Sequence, residues 1–497
     1  MSDQPETHHP AAPKHIVIIG DGHAGVAAAV ELADHGHRVT IVESSVHMGE
    51  SASSHEATDS SQHALMRLCT NQCDLYRRLG VIRDVKWQKT LYMTGEDGII
   101  DELTGDDLPA PFHLTRSLLK MKRFTWAEKR NIFRGFLSVM QLSKKARERL
   151  VDENFREWLL SMDQPEHAVD KFWAAIIAGA CNQLPRQISA AYGVRIIQEG
   201  FLHSNTAHQI GFSNISRDEF HARCLEAISK KGGERIAGTR VERISYDPES
   251  KSITGVELTD GRTISADAYI TSIPYKRVDE LATPDMKRDD ERLQMLEHIQ
   301  GVPVIGIHFF VDSPDHHDVM TRSHLLFTDG PIRWVFNKGR ARGESEDGTA
   351  WTIGGIDVGG SHHLHAIVGH AEDYADLTDQ QIIDDAFAEM RLCMPSLTED
   401  VSVVEAHVVR ETRAASSPRP GGKQVRPKPS GDIKNLIIAG GWASTGWPTT
   451  MEGGVRSGYR AAAAVLAMDV PEDEPINYNT LLIPDVQPSN LYKAISG

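Results

Sequence analysis

The feature that most constrains this chain is the run Gly20-Asp21-Gly22-His23-Ala24-Gly25, set between the apolar stretch His15-Ile-Val-Ile-Ile19 and an alanine-rich stretch from His23 to His35. An apolar run without polar alternation predicts a strand buried on both faces, and the alanine-rich run predicts a helix. Arg38-Val-Thr-Ile-Val42 then predicts a second strand, closed by Glu43. In such a βαβ opening Gly20 permits the tight turn, Gly22 lets the backbone approach a diphosphate, and Gly25 lets helix pack closely on strand. The helix start offers unpaired N–H groups to the anion. Glu43 is placed to accept from ribose hydroxyls, which favours a dinucleotide without a 2′-phosphate. The turn alone does not separate NAD from FAD.

A chain of 497 residues with 40% hydrophobic content buries a core larger than one ordinary domain provides. No apolar run reaches the roughly 18 residues of a membrane span, and Met1–Lys14 lacks the basic-then-apolar order of a signal peptide. Cysteines at 69, 73, 181, 224 and 393 are odd in number and scattered, which fits free thiols in a reducing, cytoplasmic compartment. A net charge of −16 argues against nucleic acid as partner. Against that balance, residues 116–149 carry eleven Lys or Arg and only Glu128 and Glu148 as acids, interleaved with apolar residues including Leu119, Trp126, Phe133 and Leu137. Such a segment either lies on an anionic bilayer, here the inner face of the cytoplasmic membrane, or forms a solvated helical pair on the core.

Along the chain, residues 64–230 predict mostly helix, interrupted by Gly and Pro around 94–112. From Gly233 strands dominate: Arg235-Ile236, Val241–Ile244, Ile253–Leu258, Thr263-Ile264 and Ala268–Thr271, then Val304–Val311 and Arg333–Phe336. Residues 412–430 read as a loop before the strand Leu436–Ile438 and a helix from about Met451 to Met468. The histidines at 362, 363 and 365, and His316 and His317 among Asp312, Asp315 and Asp318, read as surface residues of polar loops. Neither group has metal-ligand spacing, and no metal is expected.

The C-terminal run decides between cofactors. Leu436-Ile-Ile-Ala-Gly440-Gly441-Trp442 is a strand entering a glycine turn, and Thr445-Gly-Trp447-Pro-Thr-Thr450-Met451-Glu-Gly453-Gly-Val-Arg-Ser-Gly458 opens a helix. This run resembles the C-terminal FAD motif of the flavin amine oxidase and phytoene desaturase superfamily, and its Thr-Gly-Trp-Pro, Met-Glu-Gly and Val-Arg-Ser-Gly elements resemble the hydroxysqualene dehydroxylase branch. Asp59-Ser-Ser-Gln62-His63, Leu75–Gly80, Ala190–Gly193, Gly200–Leu202 and Arg333–Lys338 resemble further stretches of that branch, so the likeness extends over about residues 15–465. It implies an α/β fold in which a Rossmann-like FAD-binding domain (residues 14–63, 217–280 and 412–470) interleaves with an α+β substrate domain (64–216 and 281–411). A tail (1–13) and a C-terminal extension (471–497) flank them.

The resemblance further implies a cofactor shell of Gly20, Gly22, His23, Ala24, Gly25, Glu43, Ser51, Val241, Gly440, Gly441, Trp442, Trp447, Thr450, Met451 and Gly453. It implies polar groups at Asp59, Gln62 and His63 near the flavin, and an isoprenoid lipid substrate. The implied reaction is reductive dehydroxylation of hydroxysqualene to squalene, a precursor of hopanoids, with the electron donor undefined. Alternatives are a carotenoid or phytoene desaturase, sharing cofactor and substrate type but running as an oxidation, and a lipid-binding paralogue without redox chemistry. An amine oxidase needs an aromatic cage, which 6% aromatic content does not suggest. Glu452, at a helix N-terminus that favours its charged form, reads as structural rather than as an acid.

Three positions depart from the family pattern. Gly49-Glu50-Ser51 stands where Gly-Gly-Arg is usual, Gly440-Gly441 where Gly-Asp is usual, and Asp21 where the first turn has a small residue. Acids at 21 and 50 without a balancing arginine are expected to weaken FAD by about 1–3 kcal/mol for each lost charged hydrogen bond.

Overall fold

The computed structural model describes residues 12–44, 64–213, 217–313, 318–340, 352–353, 356–369, 371–417, 419–421, 425–469 and 474–496. Its first layer is a five-stranded parallel sheet in the order Leu436–Ile438, Ala268–Thr271, His15–Ile19, Arg38–Val42, Glu234–Ile236. The central strand has Ile16, Val17 and Ile18 fully buried, as its unalternating sequence requires, because both faces of a parallel sheet are covered. The helix His23–Asp34 follows the first strand, and the last helix, Met451–Leu466, crosses it closely. That crossing depends on Gly458, where an added Cβ would run into the Ala24 carbonyl and the Ala27 methyl.

Val241–Asp247, Ser252–Leu258 and Thr263–Ile264 form a three-stranded antiparallel sheet between the third and fourth parallel strands in sequence. A seven-stranded sheet makes the other large layer, in the order Ser402–Ser416, Gly301–Asp312, His362–Val368, Ile332–Arg340, His324–Phe327, Thr90–Thr94, Asp101–Thr104. Its two faces divide by strand alternation. Ile305, Ile307 and Phe309 pack with Ile382, Ala386 and Met390 of the helix Asp379–Cys393. Val304, Phe336 and Ile367 cluster on the other face, with Phe212 and Trp334 against them. The chain thus leaves the parallel sheet and returns to it twice, which gives the interleaved α/β architecture.

Two expectations change. Residues 64–230 include short strands, Ala64–Met66, Val85–Gln88, Thr90–Thr94, Asp101–Thr104 and Ile210–Ser213; Thr90–Thr94 and Asp101–Thr104 pair with each other, and the remaining pairings join stretches far apart in sequence. Strands of three to five residues carry too little alternation to stand out beside helical stretches. The histidines at 362, 363 and 365 do not form a polar surface loop. They lie on an interior strand, with His365 1% exposed and its ring stacked on that of His308 at 4.0 Å. His316 and His317 lie outside the described residues. Among the described residues no group of His, Cys, Asp or Glu is arranged to hold a metal.

Candidate active site

The first turn is built as its glycines require. Gly20 has φ +99°, its N–H donates to the Val42 carbonyl at 2.9 Å, and its carbonyl accepts from Ser272 Oγ at 2.9 Å. Gly25 sits against that carbonyl with no room for a Cβ. Gly22 caps the first helix without any side-chain cap, so the helix start keeps backbone donors for an anion. Gly22, His23 and Ala24 line a cavity of about 490 Å³. Glu43 Oε2 accepts from the Asp21 N–H at 3.1 Å, fixing the acid at the end of the second strand beside the turn.

Asp21 does not stand unbalanced. One oxygen of its carboxylate, Oδ2, accepts from both Nε (3.0 Å) and Nη2 (2.9 Å) of Arg235 on the edge strand, and the two side chains are 2% and 8% exposed. The expected repulsion between Asp21 and a diphosphate is therefore corrected by a cation 214 positions away in the chain.

The C-terminal loop closes the cavity from the other side. Gly440 donates its N–H to Ser457 Oγ at 2.8 Å, and the Trp442 indole N–H donates to the Ile273 carbonyl at 3.1 Å. Thr450 caps the last helix, accepting from the Gly453 N–H at 3.3 Å. Glu452 is fully buried. It accepts from the backbone N–H groups of Asn71 (3.3 Å) and Gln72 (2.8 Å) and from Asn71 Nδ2 (2.9 Å), and it pairs with Arg456 at 2.7 Å. It thereby welds the last helix to the start of the helix Thr70–Arg78. The Arg195 and Arg456 guanidinium groups both lie over the Trp447 ring, 4.3 and 4.7 Å from its centre. Gly440, Gly441, Trp442, Trp447, Thr450 and Met451 all line the same cavity as the first turn.

Two uncapped or lightly capped helix starts converging on one cavity match a long, anionic dinucleotide. The sequence profile of flavin containing amine oxidoreductases matches residues 23–466. The chain belongs to that family. As a flavin containing amine oxidoreductase in sequence family, it is an FAD-dependent oxidoreductase. It is 24% identical over 471 residues to the 15-cis-phytoene desaturase of Synechococcus elongatus, spanning 91% of this chain and 96% of that protein. To the chloroplastic/chromoplastic 15-cis-phytoene desaturase of Solanum lycopersicum it is 24% identical over 472 residues, 92% of this chain and 78% of that protein. Its fold is shared with an oxidoreductase from Methanosarcina mazei (TM-score 0.64, 15% identity, 89% of this chain and 98% of that one). Cyclohexylamine oxidase from Brevibacterium oxydans has it too (TM-score 0.60, 19% identity, 91% and 99%).

Beyond the cradle of this oxidoreductase the cavity turns apolar. Ala64, Met66, Ile196, Ile210, Val304, Trp334, Phe336 and Ile367 line it, contributed by the short strands of the middle segment, by the helix Ala190–Ile197 and by the seven-stranded sheet. Trp334 and Phe336 stack with ring centres 5.3 Å apart, and the Trp334 N–H is satisfied by the Gly179 carbonyl at 3.0 Å. With Tyr275, Trp442 and Trp447 they give the lining more aromatic surface than the overall composition suggested. Cys69 and Cys181 also line it, and both are held as neutral thiols. Burial, with Glu452 adding to it, pushes Cys69 well up, and burial pushes Cys181 up to about 12.

Of the expected cofactor residues, Gly20, Gly25, Glu43 and Gly453 shape the turns without lining the cavity. Val241 is buried in the core with Val17 and Val42, also outside the lining. Ser51, Glu50, Asp59, Gln62 and His63 lie outside the described residues. Sequence reasoning missed Arg235, Arg426, Gln72, the turn Ser272–Tyr275, Asn182 and Ser416. Only the Arg333–Lys338 stretch had flagged Trp334 and Phe336, through its resemblance rather than through any chemistry.

Proposed function

We propose that this enzyme desaturates a long isoprenoid hydrocarbon. What supports the reading is one continuous cavity that begins at the two helix starts and ends in an apolar wall, in a chain whose full-length relatives include phytoene desaturases. FAD, when bound, supplies the two-electron acceptor for removal of hydrogen from adjacent carbons. The first turn and the last helix would hold its diphosphate and ring on backbone donors, and the apolar lining would exclude water from the hydrocarbon beside it. In this reading the cofactor-binding part comprises residues 14–63, 217–280 and 412–470, and the substrate part residues 64–216 and 281–411.

Reductive dehydroxylation of hydroxysqualene is the second reading, supported by the Thr445–Pro448, Met451–Gly453 and Val455–Gly458 elements. Those residues serve the architecture, however. Trp447 is in contact with two arginines, Glu452 caps a neighbouring helix and Ser457 holds Gly440. They describe the shape of the cradle and not the direction of electron flow. Both oxygens of Glu452 are engaged by Arg456 and three N–H donors of the helix Thr70–Arg78, which ties this side chain to the architecture.

The deciding experiment offers the FAD-loaded enzyme 15-cis-phytoene in vesicles with a quinone as electron acceptor and, separately, hydroxysqualene with a chemical reductant. Appearance of a longer polyene absorbance supports desaturation. Squalene formation without it transfers the assignment to dehydroxylation, and no product from either substrate removes both.

An anionic bilayer is the proposed partner surface. The basic segment divides into the helices Thr115–Lys120, Trp126–Met140 and Lys144–Glu148. Part of its charge is internal: Arg147 is buried against Glu199, and Lys129 donates to the Leu119 carbonyl. Lys120, Lys122, Arg130 and Arg134 remain exposed, beside Trp126 (72% exposed) and Leu137 (45%). No described helix is long and apolar enough to cross a membrane.

A further inference from the structure

Arg426 is a buried cation surrounded by neutral oxygens. It is 5% exposed and donates to the carbonyls of Trp447 (2.6 Å) and Gly441 (3.3 Å) and to the hydroxyls of Ser416 (2.7 Å) and Thr449 (2.5 Å). Among the described residues it has no carboxylate partner, whereas the buried Arg147, Arg292 and Arg456 each have one. Hydrogen bonds engage both terminal nitrogens without cancelling its charge. A buried charge in that state is costly unless an anion comes near.

The anion has an obvious place. All four acceptors of Arg426 belong to residues that line the cofactor cavity, so the charge stands directly behind its wall. Ser416 Oγ and Thr449 Oγ1 are 2.5 Å apart, and Thr449 Oγ1 lies 3.2 Å from the Gly441 carbonyl. Ser416 pairs with Gly301 at the start of the strand that carries Val304, which belongs to the apolar end of the cavity. The diphosphate end is at Gly22–Ala24. The charge therefore bears on the ring end.

We propose that Arg426 is a positioning residue that stabilises the reduced, negatively charged flavin, its charge reaching the cavity through the Ser416 and Thr449 hydroxyls. Positive charge near the ring is one of the ways a protein tunes this cofactor. The glycine at 441 is part of the device. An aspartate there would bring a carboxylate next to Arg426 and cancel the charge.

The test is the midpoint potential of the FAD-loaded enzyme, with the dissociation constants of oxidised and reduced FAD, for wild type, Arg426→Gln and Arg426→Lys. Arg426→Gln is expected to move the potential to more negative values and to weaken reduced FAD at least tenfold more than oxidised FAD. Arg426→Lys keeps most of the wild-type potential while losing thermal stability, because the charge survives and the forked hydrogen bonding does not. An unchanged potential and affinity ratio in folded Arg426→Gln overturns the proposal and leaves Arg426 as a clamp on the loop. If that variant does not fold, the pair Ser416→Ala and Thr449→Val, which keeps the arginine, is expected to shift the potential in the same direction by less. An unchanged potential there overturns it as well.

Discussion

Replacing Arg235 by alanine separates two roles of the Asp21–Arg235 pair. The side chains are 2% and 8% exposed and joined by two hydrogen bonds of 3.0 and 2.9 Å, so the substitution leaves a carboxylate buried without its main counter-ion. Breaking a pair of that kind costs about 3–5 kcal/mol. Asp21→Ala takes the carboxylate away from a buried guanidinium instead and is expected to cost a similar amount. FAD affinity should divide the two variants. Arg235→Ala leaves a negative charge between Gly20 and Gly22, where the diphosphate approaches, and loss of one compensating charge is worth about 1.5–3 kcal/mol, roughly ten- to a hundredfold in Kd. Asp21→Ala leaves a positive charge in the same place and should hold or tighten FAD. The double variant Asp21→Ala, Arg235→Leu removes both charges and should regain most of the stability. Urea unfolding of the apoprotein and fluorescence titration with FAD measure the two quantities. If Arg235→Ala stays within about 1 kcal/mol of wild type, or if both single variants lose FAD equally, Asp21 is not the neutralised acid described above.

Acid should destabilise the protein in a definite window. His113 and His324 are fully buried, and burial, joined at His113 by His208, lowers both to about 4 from 6.5. The unfolded chain therefore binds more protons between these values. Their stabilisation is complete above about pH 6.5 and is lost as pH falls toward 4, by about 1.4 kcal/mol per pH unit for each histidine. Unfolding midpoints should be level from about pH 8 to 6.5 and show that slope below about pH 6.5, and His113→Gln with His324→Gln should reduce it. Gly458→Val pushes side-chain atoms into the Ala24 carbonyl and should cost about 1–3 kcal/mol, with FAD lost on dilution, since the two helix starts share that crossing. A thermal midpoint and flavin retention equal to wild type would contradict the close packing. For the membrane surface, vesicles containing phosphatidylserine should bind the protein and neutral ones should not. Arg130→Gln and Arg134→Gln should each weaken binding about fivefold, from roughly 1 kcal/mol per charge. Equal binding to neutral vesicles would sink the electrostatic reading.

What was legible in the sequence is what repeats locally. His15–Ile19, the helix from His23 and Arg38–Val42 are found almost as expected, because apolar continuity and glycine spacing within thirty residues specify them. The last strand and helix were equally plain. The apolar end of the cavity was not, since Ala64, Ile210, Val304, Trp334 and Ile367 come from five separate stretches and meet only through pairing. The strand His362–Val368 misled for a physical reason. Histidines count as polar in a pattern, yet imidazole rings stacked on one another, as those of His308 and His365 are, pack as interior aromatic surface.

The departures at 21 and 441 show why charge at a cofactor site is poorly read from a motif. Both look like losses: an acid gained where a small residue is usual, and an acid missing where one is usual. In three dimensions they are opposite events. Asp21 is cancelled by Arg235 and so leaves the diphosphate end close to neutral. Gly441 lacks the carboxylate that would cancel Arg426 and so leaves the ring end positive. Each cation reaches its place from a different sheet or loop, and neither belongs to the motif it completes. The missing arginine at position 51 therefore does not by itself argue against FAD. The charge that matters is the sum over side chains converging on the cavity, and at the ring end that sum favours the reduced cofactor.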